Sequence, residues 1–167
     1  MARNKRLVRR KGDRYELHFP DWLREELGNL LGQLRQLLTG EVPDDDRLTR
    51  LFPNAYLNDP EAEKEYQGFM RADLVSSRIA SIGIVEDSLY DDAVDAAKLN
   101  AWMAAINDVR LVLGTLLEVS EDDDHTSLED THPNFGGFML YDQLTFVLGE
   151  IIEALSEGLG DGADGRK

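Results

Sequence analysis

"INDVRLVLGTLLEVSEDDD", residues 106–124, decides how this chain is read. Most of it has the apolar spacing of a helix interior, yet it keeps Asn107, Asp108 and Arg110. On a wheel of about 100° per residue with Met103 at the origin, Leu99 and Leu117 fall near −40°, Ile106 near −60° and Leu113 near −80°. On the same wheel Arg110 lies at about −20°, Asn107 at about +40° and Asp108 at about +140°. Arg110 therefore sits on the apolar stripe, Asn107 on its border, and Asp108 points away. A guanidinium held there must be paired and hydrogen-bonded, because a stranded buried charge is costly. The candidate partners are Asp142, at the start of the last predicted helix, and Asp73, on a long earlier one. Asn107, Arg110, Asp142 and Asp73 form an expected polar cluster. It reads first as a structural network that fixes helix register and second as a ligand site.

Working outward, the spacing predicts that this central helix spans roughly 93–118, capped by Asp91 or Asp92. Before it, Asp59-Pro60-Glu61 reads as the cap and first turn of a long helix with Tyr66, Phe69, Met70, Leu74, Ile79 and Ile82 on its stripe. Ser76-Ser77 and Gly83 are its weak points. Pro20-Asp21 opens an earlier helix, in which Leu23, Leu27, Leu30, Leu34 and Leu37 recur at helical spacing, with Leu31 and Leu38 widening the stripe, up to a stop at Gly40. Gly28 and Gly32 inside it either allow a close helix contact or are simply tolerated. A short helix is expected from Pro43 to Leu51, and a last one from about Leu140 to Ser156 with Leu144, Val147, Leu148, Ile151, Ile152 and Leu155 inward.

The N-terminus alternates differently. Gly12-Asp13 is a two-residue turn signal, and Tyr15, Leu17 and Phe19 alternate with Glu16 and His18. Closing the turn between Lys11 and Arg14 pairs Arg9 with Glu16, Val8 with Leu17 and Leu7 with His18. A lone hairpin is marginal in water, so its apolar face must pack on helices. The expected fold is mainly α: a bundle of about five helices with an N-terminal β-hairpin, about 5–19, packed on it. Residues 1–156 are read as a single domain and the Gly-rich 157–167 as a disordered tail.

The chain of 167 residues carries a net charge of −15 and no cysteine. The missing cysteines exclude disulfides, thiolate metal sites and cysteine nucleophiles, and fit a reducing, cytoplasmic setting. No run approaches a membrane span, so no membrane partner is expected. Residues 1–14 hold seven basic groups against Asp13 alone, so residues 15–167 are left at −21. A body of that charge repels nucleic acid. Only the basic hairpin, through Arg6, Arg9, Arg10, Lys11 and Arg14, offers phosphate contacts. The plainer reading is that these cations offset the acidic body and protect a strand edge.

The acidic loop 120–131 holds Asp122, Asp123, Asp124, His125, Glu129 and Asp130, with His132 just beyond. Its spacing matches no calcium or zinc device, so it is read as a metal-free, solvated run. No nucleophile elbow, His-Glu-x-x-His helix or phosphate loop is present, so the chain reads as a non-enzyme without a cofactor.

Three blocks carry a resemblance: "RLFPNAYLNDPEAEKEY" (50–66), "AWMAAINDVRLVLGTLLEVSEDD" (101–123) and "YDQL" (141–144). Together they resemble an actinobacterial family, catalogued as domain of unknown function two thousand and seventeen, over nearly the whole chain. The family is helical, and its genes often neighbour that of an adaptor of the Clp protease. Some members are described as oxidative-stress transcription regulators that sense through cysteines. That sensing cannot carry over to a chain without cysteine. The resemblance implies a cytoplasmic, non-enzymatic regulatory or adaptor protein with a protein partner, in stress response or proteolysis. The alternative is a transcription regulator that contacts nucleic acid through the basic hairpin. A homodimer stays open.

Overall fold

Three short strands bring the N-terminus to the middle of the chain. The computed structural model describes residues 6–40, 45–120 and 129–160. Strand β1 (Val8–Lys11) turns at Gly12, φ 65°, into β2 (Arg14–Leu17). The register is the expected one: Val8 opposite Leu17 and Arg9 opposite Glu16, with His18 N–H donating to the Leu7 carbonyl at 2.8 Å. A third strand joins this expected pair. Strand β3 (Ala93–Asp95) pairs antiparallel with β2, Val94 opposite Tyr15, so β2 is central.

The bundle has four α-helices: α1 (Asp21–Thr39), α2 (Pro60–Ser88), α3 (Ala96–Leu116) and α4 (Phe135–Gly160). The expected count of about five is corrected to four. Of the short helix placed at 43–51, the described part is a single 3₁₀ turn, Asp46–Leu48. In α1, Leu23, Leu27, Leu31, Leu34 and Leu38 are buried, while Leu30 and Leu37 of the expected stripe are only partly buried at its edge. Gly28 approaches Leu89, where an added Cβ would lie 3.1 Å from Cδ2, whereas Gly32 has nothing within 4 Å. Helix α2 starts as expected, Asp59 accepting from Ala62 N–H at 3.1 Å, but it runs unbroken through Ser76, Ser77 and Gly83. Both serines face solvent, where they cost little.

Asp95, not Asp91 or Asp92, caps α3: its carboxylate accepts from Lys98 N–H at 2.8 Å. The residues before it are occupied by β3. Helix α4 begins five residues earlier than its apolar stripe suggests. Gly137 lets that first turn close on Leu117, whose Cδ2 would lie 2.8 Å from an added Cβ. It also runs on to Gly160, so 157–160 are helix rather than tail, and 161–167 lie outside the described residues.

Helix α3 is the centre of the packing, touching α1, α2 and α4. One continuous core joins it to the sheet. Trp102, fully buried, stacks on Phe19 at 5.4 Å, and its indole N–H donates to Ser88 Oγ at 2.9 Å. Arg24 is buried too. Its guanidinium donates to the carbonyls of Leu17, Phe19, Leu89 and Asp91, locking the end of β2, the start of α1 and the turn after α2 together. Among the described residues no helix is long and apolar enough to cross a membrane.

Candidate functional site

Helix α3 carries polar groups on two sides, and the sides differ. Facing α2, Asp108 is only 3% exposed and its Oδ1 accepts from Nη1 of Arg78. Nη2 of Arg78 donates to the Leu51 carbonyl at 2.9 Å, so one guanidinium ties the segment after the 3₁₀ turn to both helices. The Phe52 ring lies 5.5 Å from Arg78 and 4.6 Å from Arg71. Burial pushes the Asp108 carboxyl above its usual range, against the opposing pull of Arg78. Asp108 Oδ2 and Arg78 Nε are buried without a hydrogen-bond partner among the described residues.

Facing α4, Arg110 is half-buried. Its Nη1 donates to the Tyr141 hydroxyl at 3.1 Å, and the guanidinium sits 5.5 Å from that ring. Its Nη2 reaches Asn107 Oδ1 at 3.5 Å. The expected ion pair with Asp142 or Asp73 is therefore corrected. Tyr141 occupies the position facing Arg110. Asp142, one residue and about 100° further round α4, is exposed. Asp73 lies on an exposed face of α2. Asn107 and Arg110 come together; Asp142 and Asp73 are not brought to them. The buried ion pair of α3 belongs to Asp108, the acid the wheel turned outward. A wheel assumes one buried face, whereas α3 is packed on several. The clue was the apolar run Val109–Leu117, which already wrapped most of the helix.

Arg50 was not foreseen. Its Nη2 donates to the Val119 carbonyl at 2.5 Å. The side chain crosses Gly114, where an added Cβ would lie 2.7 Å from Arg50 Nη1 and 3.1 Å from Tyr141 Cε2. Among the described residues, the Asn107–Arg110–Tyr141 side thus reads as a network that joins α3 to α4.

The basic hairpin is docked on α4. Arg6 Nη1 donates to Glu157 at 2.6 Å, and its Nη2 is 3.7 Å from Glu153. The Leu7 N–H donates to Glu150 at 2.9 Å, and Arg10 Nη1 to the Glu157 carbonyl at 3.3 Å. Helix α4 has no basic residue in its own last turn. Arg6 and Arg10 supply that charge from outside, where the helix dipole favours it. Lys11 pairs with Glu16 at 3.3 Å, and Arg14 donates to the Ala93 carbonyl at 2.8 Å. Arg9 is exposed. The acidic loop falls mostly on 121–128, outside the described residues, so His125 and its neighbours have no place in this geometry.

A family model described as Domain of unknown function (DUF2017) matches residues 4–155. The chain is also 28% identical over 136 residues to the oxidative stress regulator AosR of Mycobacterium bovis and of two Mycobacterium tuberculosis strains. The match takes in 70% of this chain and 62% of each relative, so it spans under two thirds of their length. No solved structure matches significantly.

Proposed function

Because the chain belongs to the DUF2017 family, we propose that it is a regulatory protein that acts by contacting another protein, without catalysis of its own. The regulatory part rests on the similarity to proteins named oxidative stress regulators. The choice of protein over nucleic acid rests on one observation: Arg6 and Arg10 are spent on the acids and carbonyl of α4. Surface cations already paired with this chain's own acids release fewer counterions on meeting phosphate, and the −15 net charge repels it further. Meanwhile Phe69 on α2 and Phe146 on α4 stand 73% and 57% exposed, two large apolar side chains each open to contact on its own helix. Any response to oxidant in this chain bypasses thiols, since it has none.

The test is complementation of a strain lacking this protein. Phe69→Asp and Phe146→Asp, both solvent-facing changes, are expected to lose control of peroxide-responsive transcripts. Arg9→Ala with Lys11→Ala is expected to keep it. The opposite pattern sinks the protein-contact reading and favours phosphate contact through the hairpin.

A further inference from the structure

The cleft between the 3₁₀ turn and the first turns of α2 has no part in that reading. It encloses about 580 Å³, inside the range of roughly 300–1,000 Å³ usual for small-molecule sites. Its floor is apolar, with Leu48 and Phe52 buried. Its lip is Tyr56 and Leu57, 50% and 82% exposed. Two cations line it, Lys64 and Arg71. The Arg71 guanidinium is stacked 4.6 Å from the Phe52 ring. Neither cation has a carboxylate or hydrogen-bond partner among the described residues, whereas two of the acids in the wall are engaged. Asp45 is held by Arg47 at 2.6 Å. Glu63 accepts from the Ala55 and Tyr56 N–H groups at 3.0 and 2.8 Å, and from Gln67 at 2.7 Å. Asp45 and Glu63 hold the loop in shape and leave Lys64 and Arg71 to face the cleft.

We infer that this cleft binds a small organic monocarboxylate with an apolar body, the carboxylate forked on Arg71 and the body laid on Leu48, Phe52 and Tyr56. A planar guanidinium fixed on an aromatic ring is set for two parallel N–H···O bonds to a carboxylate. Counting Arg47, which holds Asp45, the described wall sets three acids (Asp45, Asp46, Glu63) against three cations (Arg47, Lys64, Arg71) and has no excess of positive charge. That disfavours a phosphate dianion and tolerates a single carboxylate whose affinity comes largely from apolar burial. The inference adds an effector site to the regulatory reading and stands independently of it, since binding is measured on the purified chain.

The experiment titrates the full-length protein with octanoate and phenylacetate, and with acetate, octanol and inorganic phosphate for comparison. Calorimetry gives affinity, and nitrogen–proton NMR gives location. The expected result is saturable one-to-one binding of octanoate or phenylacetate, with shifts at Phe52, Tyr56, Gln67 and Arg71. Arg71→Gln should weaken it at least tenfold and Arg71→Lys by less. Arg9→Gln, changing an exposed cation elsewhere, should leave it unaltered. Circular dichroism and a melt show whether each variant is folded. Three results overturn the inference: octanol binding as well as octanoate, phosphate binding as well as either carboxylate, or no carboxylate binding at all. Shifts confined to other residues, or equal affinity in a folded Arg71→Gln, overturn it as well.

Discussion

Arg78 of α2 and Asp108 of α3 form an ion pair at the helix interface, and the same Arg78 holds the Leu51 carbonyl at 2.9 Å. The pair stands between helices that the rest of the core already joins through apolar contact. Its removal should therefore be asymmetric. Arg78→Met leaves the Asp108 carboxylate buried and unpaired, and should cost roughly 3–5 kcal/mol in urea unfolding. Arg78→Met combined with Asp108→Leu removes both charges and should recover most of that loss. If the double variant is as unstable as the single one, the pair is not the source of the penalty.

The same carboxylate makes stability depend on pH. Burial raises the Asp108 pKa above its usual value of 3.8. The folded state then binds the proton more tightly than the unfolded chain, so this group's contribution weakens as pH rises through the raised value. Asp45 works the other way. Arg47 beside it lowers its pKa from 3.8 to about 2, so its contribution is present above 3.8 and is lost as pH falls toward 2. Melts of the protein and of Asp108→Asn from pH 3 to pH 7 separate the two. The difference, protein minus variant, should shrink as pH rises. A difference that grows would mean that Arg78 outweighs burial.

The hairpin is held by packing more than by charge. Val8, fully buried, lies in the core, while Arg6 and Glu157 pair with side chains 35% and 43% exposed. Val8→Ala should cost roughly 2 kcal/mol. Arg6→Ala should cost only about 0.5 kcal/mol, screened further by salt. Denaturation at low and high salt checks both, and a larger loss for Arg6→Ala would reverse the order of importance.

The elements legible in the sequence are those whose signal is local. Gly12-Asp13 and the alternation of Tyr15, Leu17 and Phe19 carried the hairpin with its register. Asp59-Pro60 marked the start of α2, and the leucine spacing marked the buried face of α1. Strand β3 was not legible because Ala93-Val94-Asp95 is too short to alternate, and its pairing with β2 spans distant parts of the chain. The start of α4 was hidden by Gly136 and Gly137, which read as loop until Leu117 is seen against the second of them. In the polar cluster, Asn107 and Arg110 followed from the wheel. Tyr141 did not, because a neutral hydroxyl carries no charge to mark it as a guanidinium's partner.

The end of α3 stores a small strain that one substitution should release. Glu118 takes φ 54°, the left-handed conformation, although it is not glycine. Val119 N–H donates to the Gly114 carbonyl at 2.9 Å and Glu118 N–H to that of Thr115 at 3.2 Å, the paired bonds of a helix stop that glycine favours. Glu118→Gly relieves the Cβ crowding but frees the unfolded chain. The net gain should be about 0.5 kcal/mol, seen as a slightly higher melting temperature. An unchanged or lower value would mean that the Glu118 side chain contributes more than its strain costs.

Arg24 gives the sharpest contrast between two cations. It is 5% exposed and meets no carboxylate among the described residues; its partners are the carbonyls of Leu17, Phe19, Leu89 and Asp91, with the Phe19 and Leu17 bonds at 3.1 and 3.0 Å. A planar fork of five donors can serve four acceptors spread over three chain segments, whereas an ammonium has three donors at a single point. Lysine therefore keeps the charge and loses the geometry. Arg24→Lys should bury a poorly solvated ammonium and leave carbonyls unpaired, at roughly 3 kcal/mol. Arg24→Met leaves the carbonyls unpaired but buries no charge, so it should be no worse than lysine. Urea unfolding of both variants checks the order. If Arg24→Lys is as stable as the parent, charge rather than the fork is what the junction of β2, α1 and the turn after α2 requires.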